Sequence, residues 1–573
     1  MTKPCDIAPE VRLVAPDHTE FQQFTRRRFL KRAGLTAAAL TCADFLGYFA
    51  TFGLPRESRA DQLAGGAAAA NDNPHFLIYW YLEGGWCGYD MFNPVMTDNN
   101  VISRLDDITR ERYRVLKFGQ PDYSIYEDGG LRYGYLAAPG KDLFKDMAIL
   151  SSMHTGGGHS AERLKVHMGS YSFKATEERQ DDERSVMQAF AEVYGQPYVL
   201  PNLSWHWWLS DGELNEVQYT GRRGYYHALG PAHAHTIYAG TPAKLKHFLL
   251  KMQEDSGDSV NREIQHFLDN ANEDFLKDQN IEAVKSYSSA REIYMQLASK
   301  GMTLDRSMLL RLFADNALRE EFGVQPADEL ITYRSVNGNK ARSKFTPHSK
   351  AQAMMTFELL RAGLSCAFFI ESRDIRRFDS HRSRGSLWAR DRKTPIGMTD
   401  QTTMMKEDLW DPLHALVARL KNTEYRGSGT SFFDHTNIVL TSEFGRTIHG
   451  AVDDIMKKTA PEMQKQKEID GQDISQHWKV TSAAFLGGKV KGQKQYGGIG
   501  EKTLLAIPLL PDGSMDLAYD LRTGEAIPGR TPSEQAVVPN HGDVYATALH
   551  LSDIDPKGKG RNDRGALAYI KRA

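Results

Sequence analysis

The sequence predicts an α/β fold, a mostly parallel central sheet flanked by helices, and three observations predict it. Short, continuous apolar runs recur along the chain: Phe76-Leu77-Ile78-Tyr79-Trp80-Tyr81-Leu82, Leu364 to Ile370, and Thr436-Asn437-Ile438-Val439-Leu440-Thr441. Runs of that length without polar alternation suit strands buried on both faces, as parallel sheets covered by helices require. The segments between them carry apolar residues at helical spacing, so that helices and strands alternate.

Taken in order, the first run closes on Glu83-Gly84-Gly85, a turn signal. Met147 to Ser152 is a second strand, ending in Met153-His154-Thr155-Gly156-Gly157-Gly158-His159-Ser160, with a helix from Ala161 to Met168 behind it. Residues 245–350 read as a helical insertion, in which Ile264, Phe267, Leu268, Ala271 and Phe275 share a face. No fixed period recurs, which argues against a solenoid. Met354, Met355, Phe357, Leu359 and Leu360 fill a helix stopped by Gly363, a C-cap signal. The Leu364 strand follows, then a helix marked by Leu413, Leu416, Val417 and Leu420, then the Thr436 strand. Ser482 to Leu486, before Gly487-Gly488, is a further strand, and Val544, Thr547, Ala548 and Leu551 mark a late helix.

The ends and the composition bound the protein's setting. Thr25-Arg26-Arg27-Arg28-Phe29-Leu30-Lys31 precedes a weakly apolar stretch, Ala33 to Leu54, and the small-residue site Ser58-Arg59-Ala60. Charged region, apolar core and cleavage site in that order make an export signal, here matching the twin-arginine consensus. As a permanent anchor the stretch is poor, because Asp44 near its middle costs about 2.5–3.5 kcal/mol on insertion scales. Residues 1–60 are therefore expected to be a cleaved signal read by the Tat translocase, leaving no stable membrane span and a periplasmic or secreted protein. Residues 61–75 read as a flexible leader and 76–573 as the α/β domain. A formal net charge of −2 gives no electrostatic footprint for nucleic acid. Beyond the signal only Cys87 and Cys366 remain, which excludes a disulfide scaffold. Cys366 lies in an apolar run and reads as a buried thiol. No Walker loop, GxSxG or CxxC pair is present, so nucleotide, α/β-hydrolase and redox readings have no support.

In open α/β sheets ligands gather at the carboxyl ends of the strands. The first strand is followed by Glu83, and the second by His154, His159 and Ser160, with His167 further along the helix. Asp379 and His381 follow the Leu364 strand, Glu443 and Arg446 the Thr436 strand, and Asp473, His477 and Trp478 stand further on. Carboxylates and imidazoles of this kind suit Zn²⁺, Mn²⁺, Mg²⁺ or Ca²⁺. Singly, each has a plainer reading: a salt-bridged loop around Asp379-Ser380-His381, an ion pair of Glu443 with Arg446, packing for His477-Trp478. Trp205-His206-Trp207-Trp208 is either an aromatic platform for sugar rings or a core cover.

Ser442-Glu443-Phe444-Gly445-Arg446-Thr447, His477-Trp478, Gly487-Gly488-Lys489-Val490-Lys491-Gly492 and Asp543-Val544-Tyr545-Ala546-Thr547 resemble the domain-of-unknown-function 1501 family. So does Arg361-Ala362-Gly363-Leu364 leading into Phe378-Asp379-Ser380-His381. The family is similar to a branch of the alkaline phosphatase and sulfatase superfamily, whose sheet holds one or two metals beside a nucleophile. The resemblance implies metal ligands at Glu83, Asp379, His381, Glu443 and His477, with Ser160 as nucleophile and Arg446 as an oxyanion clamp. Glu443-Phe444 stands where the superfamily has Asp-His, so one imidazole is missing. One metal, of zinc type, would keep Asp379, His381 and His477, and a second, oxygen-only site would hold Glu83, Glu443 and Ser160. The implied activity is metal-dependent hydrolysis of phosphate or sulfate esters, or a degenerate relative of it. The alternative is a non-catalytic envelope protein that binds glycans or other surface components.

Overall fold

A strand apolar on both faces, such as Phe76–Tyr81, can lie only in the interior of a sheet with helices on either side. The computed structural model puts it there. It describes residues 75–86, 88, 91–94, 126–134, 136–156, 159–169, 185–205, 236–238, 241–254, 306–329, 348–371, 405–446, 477–500, 505–521, 523–557, 559 and 565–572. The expected signal, the leader as far as residue 74, Asp379, His381 and Asp473 lie outside these residues, as does most of the expected helical insertion, while His75, the leader's last residue, is buried at the start of the domain.

In chain order the elements are β1 (Phe76–Tyr81), β2 (Tyr126–Asp128), β3 (Leu131–Tyr133), β4 (Met147–His154), α1 (His159–Met168), α2 (Val186–Tyr194), β5 (Asn202–Ser204) and β6 (Thr236–Tyr238). Then come α3 (Pro242–Glu254), α4 (Arg306–Leu312), α5 (Asn316–Glu321), α6 (Ser349–Arg361), β7 (Ala367–Glu371), α7 (Asp411–Asn422) and β8 (Thr436–Thr441). The last are β9 (Gly445–Arg446), β10 (His477–Trp478), β11 (Val480–Gly487), β12 (Lys494–Tyr496) and α8 (His541–Leu551). Among the described residues, α3, α4 and α5 represent the expected helical insertion, and no helix is long and apolar enough to cross a membrane.

Eight strands form one sheet in the order β12-β4-β11-β8-β1-β7-β5-β6. Every neighbouring pair is parallel except those that involve β11, which runs against both β8 and β4. The α/β class and the mostly parallel sheet are thus as expected. The reversal of β11 has a local cause. β8 runs on into β9, and β9 pairs antiparallel with β10, His477 opposite Arg446 and Trp478 opposite Gly445. The chain therefore returns through β10 into β11 as the second arm of a long hairpin.

All six residues of β1 are buried, and one apolar core runs from there through β4, β7, β8 and β11. The helix α6 stops where glycine allows it. Gly363 has φ +68, Leu364 N–H bonds the Leu359 carbonyl (2.8 Å) and Gly363 N–H the Leu360 carbonyl (3.0 Å), a Schellman cap. Its side chain Gln352 then clasps the Glu371 backbone at the end of β7 from both sides, at 2.6 and 3.0 Å. Cys366 is a buried free thiol against the Pro201 carbonyl. Trp205 belongs to the core, its indole N–H on Thr356 Oγ1 at 3.3 Å, while residues 206–208 lie outside the described chain.

Candidate functional site at the carboxyl edge of the sheet

With seven strands pointing one way, their carboxyl ends make one edge, and the start of the reversed β11 lies on it, Val480 opposite His154. β1 ends in Leu82-Glu83-Gly84-Gly85, and Gly84 and Gly85 have φ +115 and +79. Such positive φ values favour glycine. At Gly85 space demands it too, since a Cβ there would lie 2.3 Å from the Phe444 ring.

Into this turn fits the loop that follows β8. Ser442 Oγ accepts the Trp86 N–H (3.1 Å), and its proton lies between the Leu82 carbonyl (2.6 Å) and Glu443 Oε2 (3.2 Å). Glu443 Oε1 accepts the Gly84 N–H at 2.8 Å. Arg446 grips the same turn from the other side, donating from Nε to the Gly85 carbonyl (3.2 Å) and from Nη2 to the Gly84 carbonyl. Its guanidinium lies over Phe444 (5.3 Å), and Phe444 stacks on His477 (4.1 Å). Glu83, Glu443 and Arg446 are buried and His477 is half-buried. Glu83, Glu443, Arg446 and His477 thus come together at this edge.

Two helices bring in groups that the sequence reading missed. Glu162, in the first turn of α1, folds its buried carboxylate back against Gly156, where a Cβ would stand 2.1 Å from Oε1. Oε1 accepts from Lys165 Nζ at 2.6 Å, while Oε2 is buried without a donor among the described residues, 4.0 Å from His541 Nε2. His541 opens α8, which begins beside the end of β4, where His154 N–H bonds the Pro539 carbonyl at 2.6 Å. Its Nε2–H donates to the Glu443 carbonyl at 2.9 Å. Burial, opposed by the nearby Glu162 carboxylate, holds this imidazole below the ordinary histidine pKa. A sequence signal for His541 did exist: Asn540-His541-Gly542-Asp543 is a capping box, which marks a helix start.

The other expected positions fall as follows. Ser160 is the second residue of α1, at the helix N-terminus, and its side chain lies outside the described part. His154 ends β4 and is exposed. His167 sits two turns down α1, buried against Phe369 (4.4 Å) and Tyr81 (6.0 Å), the last residue of β1. Trp478 is buried as the partner of Gly445 in the β9–β10 ladder. At the start of α6, His348 Nε2 meets Asp408 Oδ1 at 2.8 Å while Nδ1 accepts the Lys350 N–H (3.2 Å). With both ring nitrogens engaged, this pair caps a helix.

Chemically the edge offers hard oxygen donors in a dry setting. The Glu443 carboxylate and Glu162 Oε2, which has no hydrogen-bond donor among the described residues, are hard oxygen ligands of the type a divalent cation takes. Among the described residues no group of three or more His, Cys, Asp or Glu is arranged to hold a metal ion. Of the set Asp379, His381 and His477, only His477 falls within them.

The family described as "Protein of unknown function (DUF1501)" matches residues 75–504. No curated protein and no solved structure matches the chain. The matched span holds the loops after β1 and β8, β10 and the start of α1, and ends before His541.

Proposed function

This chain belongs to the DUF1501 family, and from that premise we propose that it is an exported hydrolase of phosphate or sulfate esters, acting at the carboxyl edge of its sheet. One observation carries the reading: the strand ends and two helix starts concentrate Glu83, Glu162, Glu443, Arg446 and His541 there, all buried. Burying a charged side chain is costly, and such groups gather where their perturbed chemistry is used. We take the fold to be a branch of the alkaline phosphatase and sulfatase superfamily, supported by acidic residues at successive parallel strand ends.

In this reading Ser160 is the nucleophile, at a helix N-terminus whose dipole favours a developing alkoxide or a bound oxyanion. Arg446, a planar guanidinium of the kind that binds oxyanions in a bidentate way, is the clamp for the ester oxyanion. Glu443, braced by Gly84 and Ser442, and Glu83 set the negative field of the pocket. A divalent ion, Zn²⁺ held by Asp379, His381 and His477 or Mg²⁺, Mn²⁺ or Ca²⁺ held by Glu83 and Glu443, would supply Lewis acidity toward the ester. Export runs through the Tat translocase, which reads the paired guanidinium groups of Arg26 and Arg27, so the protein works in the periplasm or beyond.

The test has two arms. Protein purified from the periplasm is analysed for metal and assayed against aryl phosphates and aryl sulfates with added Zn²⁺, Mn²⁺ or Ca²⁺. His477→Ala should lose both ion and turnover, and Ser160→Ala turnover alone. Native protein without metal and without turnover gives the reading up in favour of a non-catalytic envelope protein that binds glycans. In the second arm, Arg26→Lys with Arg27→Lys should hold the chain in the cytoplasm; normal export of the double variant removes the Tat assignment.

A further inference from the structure

The last α-helix among the described residues reaches into the strand-end loop through one side chain. His541 is the first residue of α8, and the cap of that helix is complete without it. The Asn540 side chain accepts the N–H groups of Gly542 (2.7 Å) and Asp543 (3.4 Å), and Asp543 Oδ2 accepts the Asn540 N–H (2.8 Å). Nothing in helix capping therefore calls for an imidazole at this position. Its Nε2–H goes instead to the Glu443 carbonyl at 2.9 Å, 98 residues back in the sequence. That bond fixes the tautomer: with the proton on Nε2, Nδ1 carries a lone pair, and among the described residues Nδ1 is buried with no donor. A buried acceptor left without a donor costs stability. Leucine or phenylalanine would fill the space without that cost. What they lack is the N–H for the Glu443 carbonyl.

We propose that His541 is a positioning residue, holding the Glu443 peptide so that the loop after β8 presents its carboxylate toward Glu83 and the turn at Gly84-Gly85. Glu443 is then fixed at both ends, its carboxylate by Gly84 N–H and Ser442 Oγ and its carbonyl by His541. Hydrogen-bond partners one step removed from a functional carboxylate commonly change affinity or activity by about 10–100-fold. The inference rests on the strand-end edge being the site, and also makes a claim about the loop that stands without any activity.

The experiment compares wild type with His541→Leu, which fills the space without a donor, and His541→Gln, whose amide N–H can replace Nε2–H. Hydrogen exchange is followed on peptides spanning 441–447, beside the thermal midpoint of each protein. His541→Leu should speed exchange there about five- to tenfold while distant core peptides keep their rates, and His541→Gln should restore it. Unchanged exchange in His541→Leu, or His541→Gln behaving like His541→Leu, overturns the positioning role. If His541→Leu fails to fold, His541→Gln against His541→Met, equally flexible but without a donor, decides the same point. Where wild type turns over an aryl phosphate or sulfate, His541→Leu should lower kcat at least about tenfold with KM held; a change confined to KM separates His541 from the chemistry. A wild type without turnover defeats the hydrolase reading alone, and the exchange comparison still decides the positioning.

Discussion

The two edges of one sheet treat their charges in opposite ways. At the amino ends of the strands, ionisable groups pair where water reaches them. Lys571 pairs with Asp553 and Lys421 with Asp146, and all four are partly exposed. His75, just before β1, meets the same Asp553 at 3.2 Å and is buried. At the carboxyl ends, Glu83, Glu162, Glu443, Arg446 and His541 are all buried, and Glu162 Oε2 and His541 Nδ1 have no hydrogen-bond partner among the described residues. Pairing near water costs little and contributes modestly, whereas dry carboxylates lose hydration that few donors replace. The amino edge is arranged for stability, and the carboxyl edge gives stability up. The family-like segments divide along the same line. Ser442-Glu443-Phe444-Gly445-Arg446 builds the carboxyl edge, while Gly487-Gly488 lies at the amino edge, where a Cβ on Gly488 would stand 2.3 Å from the Asp434 backbone.

The largest effect expected from that contrast comes from two glycines. Gly85→Ala must accept a left-handed φ and displace Phe444, at a combined loss of about 2–5 kcal/mol. Gly488→Ala should lose a comparable amount by denaturant unfolding. The contrast lies in the folded fraction: under the proposed hydrolase reading, Gly488→Ala should keep ester turnover and Gly85→Ala should lose it. Equal turnover per folded molecule would remove the functional meaning of the carboxyl edge.

Buried carboxylates offer the next test. Glu443→Gln keeps an acceptor for the Gly84 N–H and removes a dry charge, so stability should hold or rise by up to about 2 kcal/mol while turnover disappears. Asp553→Asn at the other edge should lower stability by about 1 kcal/mol, since it weakens pairs to Lys571 and His75 that water already screens. Chemical denaturation of both variants gives the signs directly, and a clear loss with Glu443→Gln would place that residue in a structural ion pair.

The amino edge should also show in the pH dependence. Burial lowers the His75 pKa from 6.5 to about 4, against the opposing pull of Asp553. Between those values the unfolded chain binds a proton that the folded chain does not, so stability rises with pH across the window. It is complete above about 6.5 and falls away toward 4, by at most about 3 kcal/mol at about 1.36 kcal/mol per unit. His541 and His550 are also lowered, chiefly by burial, and act in the same direction. Urea unfolding at pH 7.5 and 5.0 should therefore show a smaller difference in His75→Gln than in wild type. The smallest effect is at the surface: Arg419→Ala should cost under about 1 kcal/mol, and less still at high salt.

Much of the scaffold was legible because its signals are local. The apolar runs of β1 and β8 appear within one residue of their ends, Gly363 ends its helix, and Cys366 is the buried thiol expected of its surroundings. The three-residue strands β5, β6 and β12 escaped notice because so short a segment carries no period to read. For the site, reading the residue behind each strand located Glu83, Glu443 and Arg446, since chain direction alone takes a loop to the carboxyl edge. It passed over Glu162 and His541.

By itself, then, the sequence determined the class of fold, most long elements and the turns that need glycine, all of which depend on neighbours within a few residues. Only the tertiary structure decided that β11 runs backward, because an apolar run reads the same in either direction and its direction follows from pairings such as Ala483 with Thr441. Only it decided that Glu443, His541 and Glu162 meet, because those contacts join distant segments. Packing of the whole sheet brings them together, and no local pattern of residue types encodes that proximity.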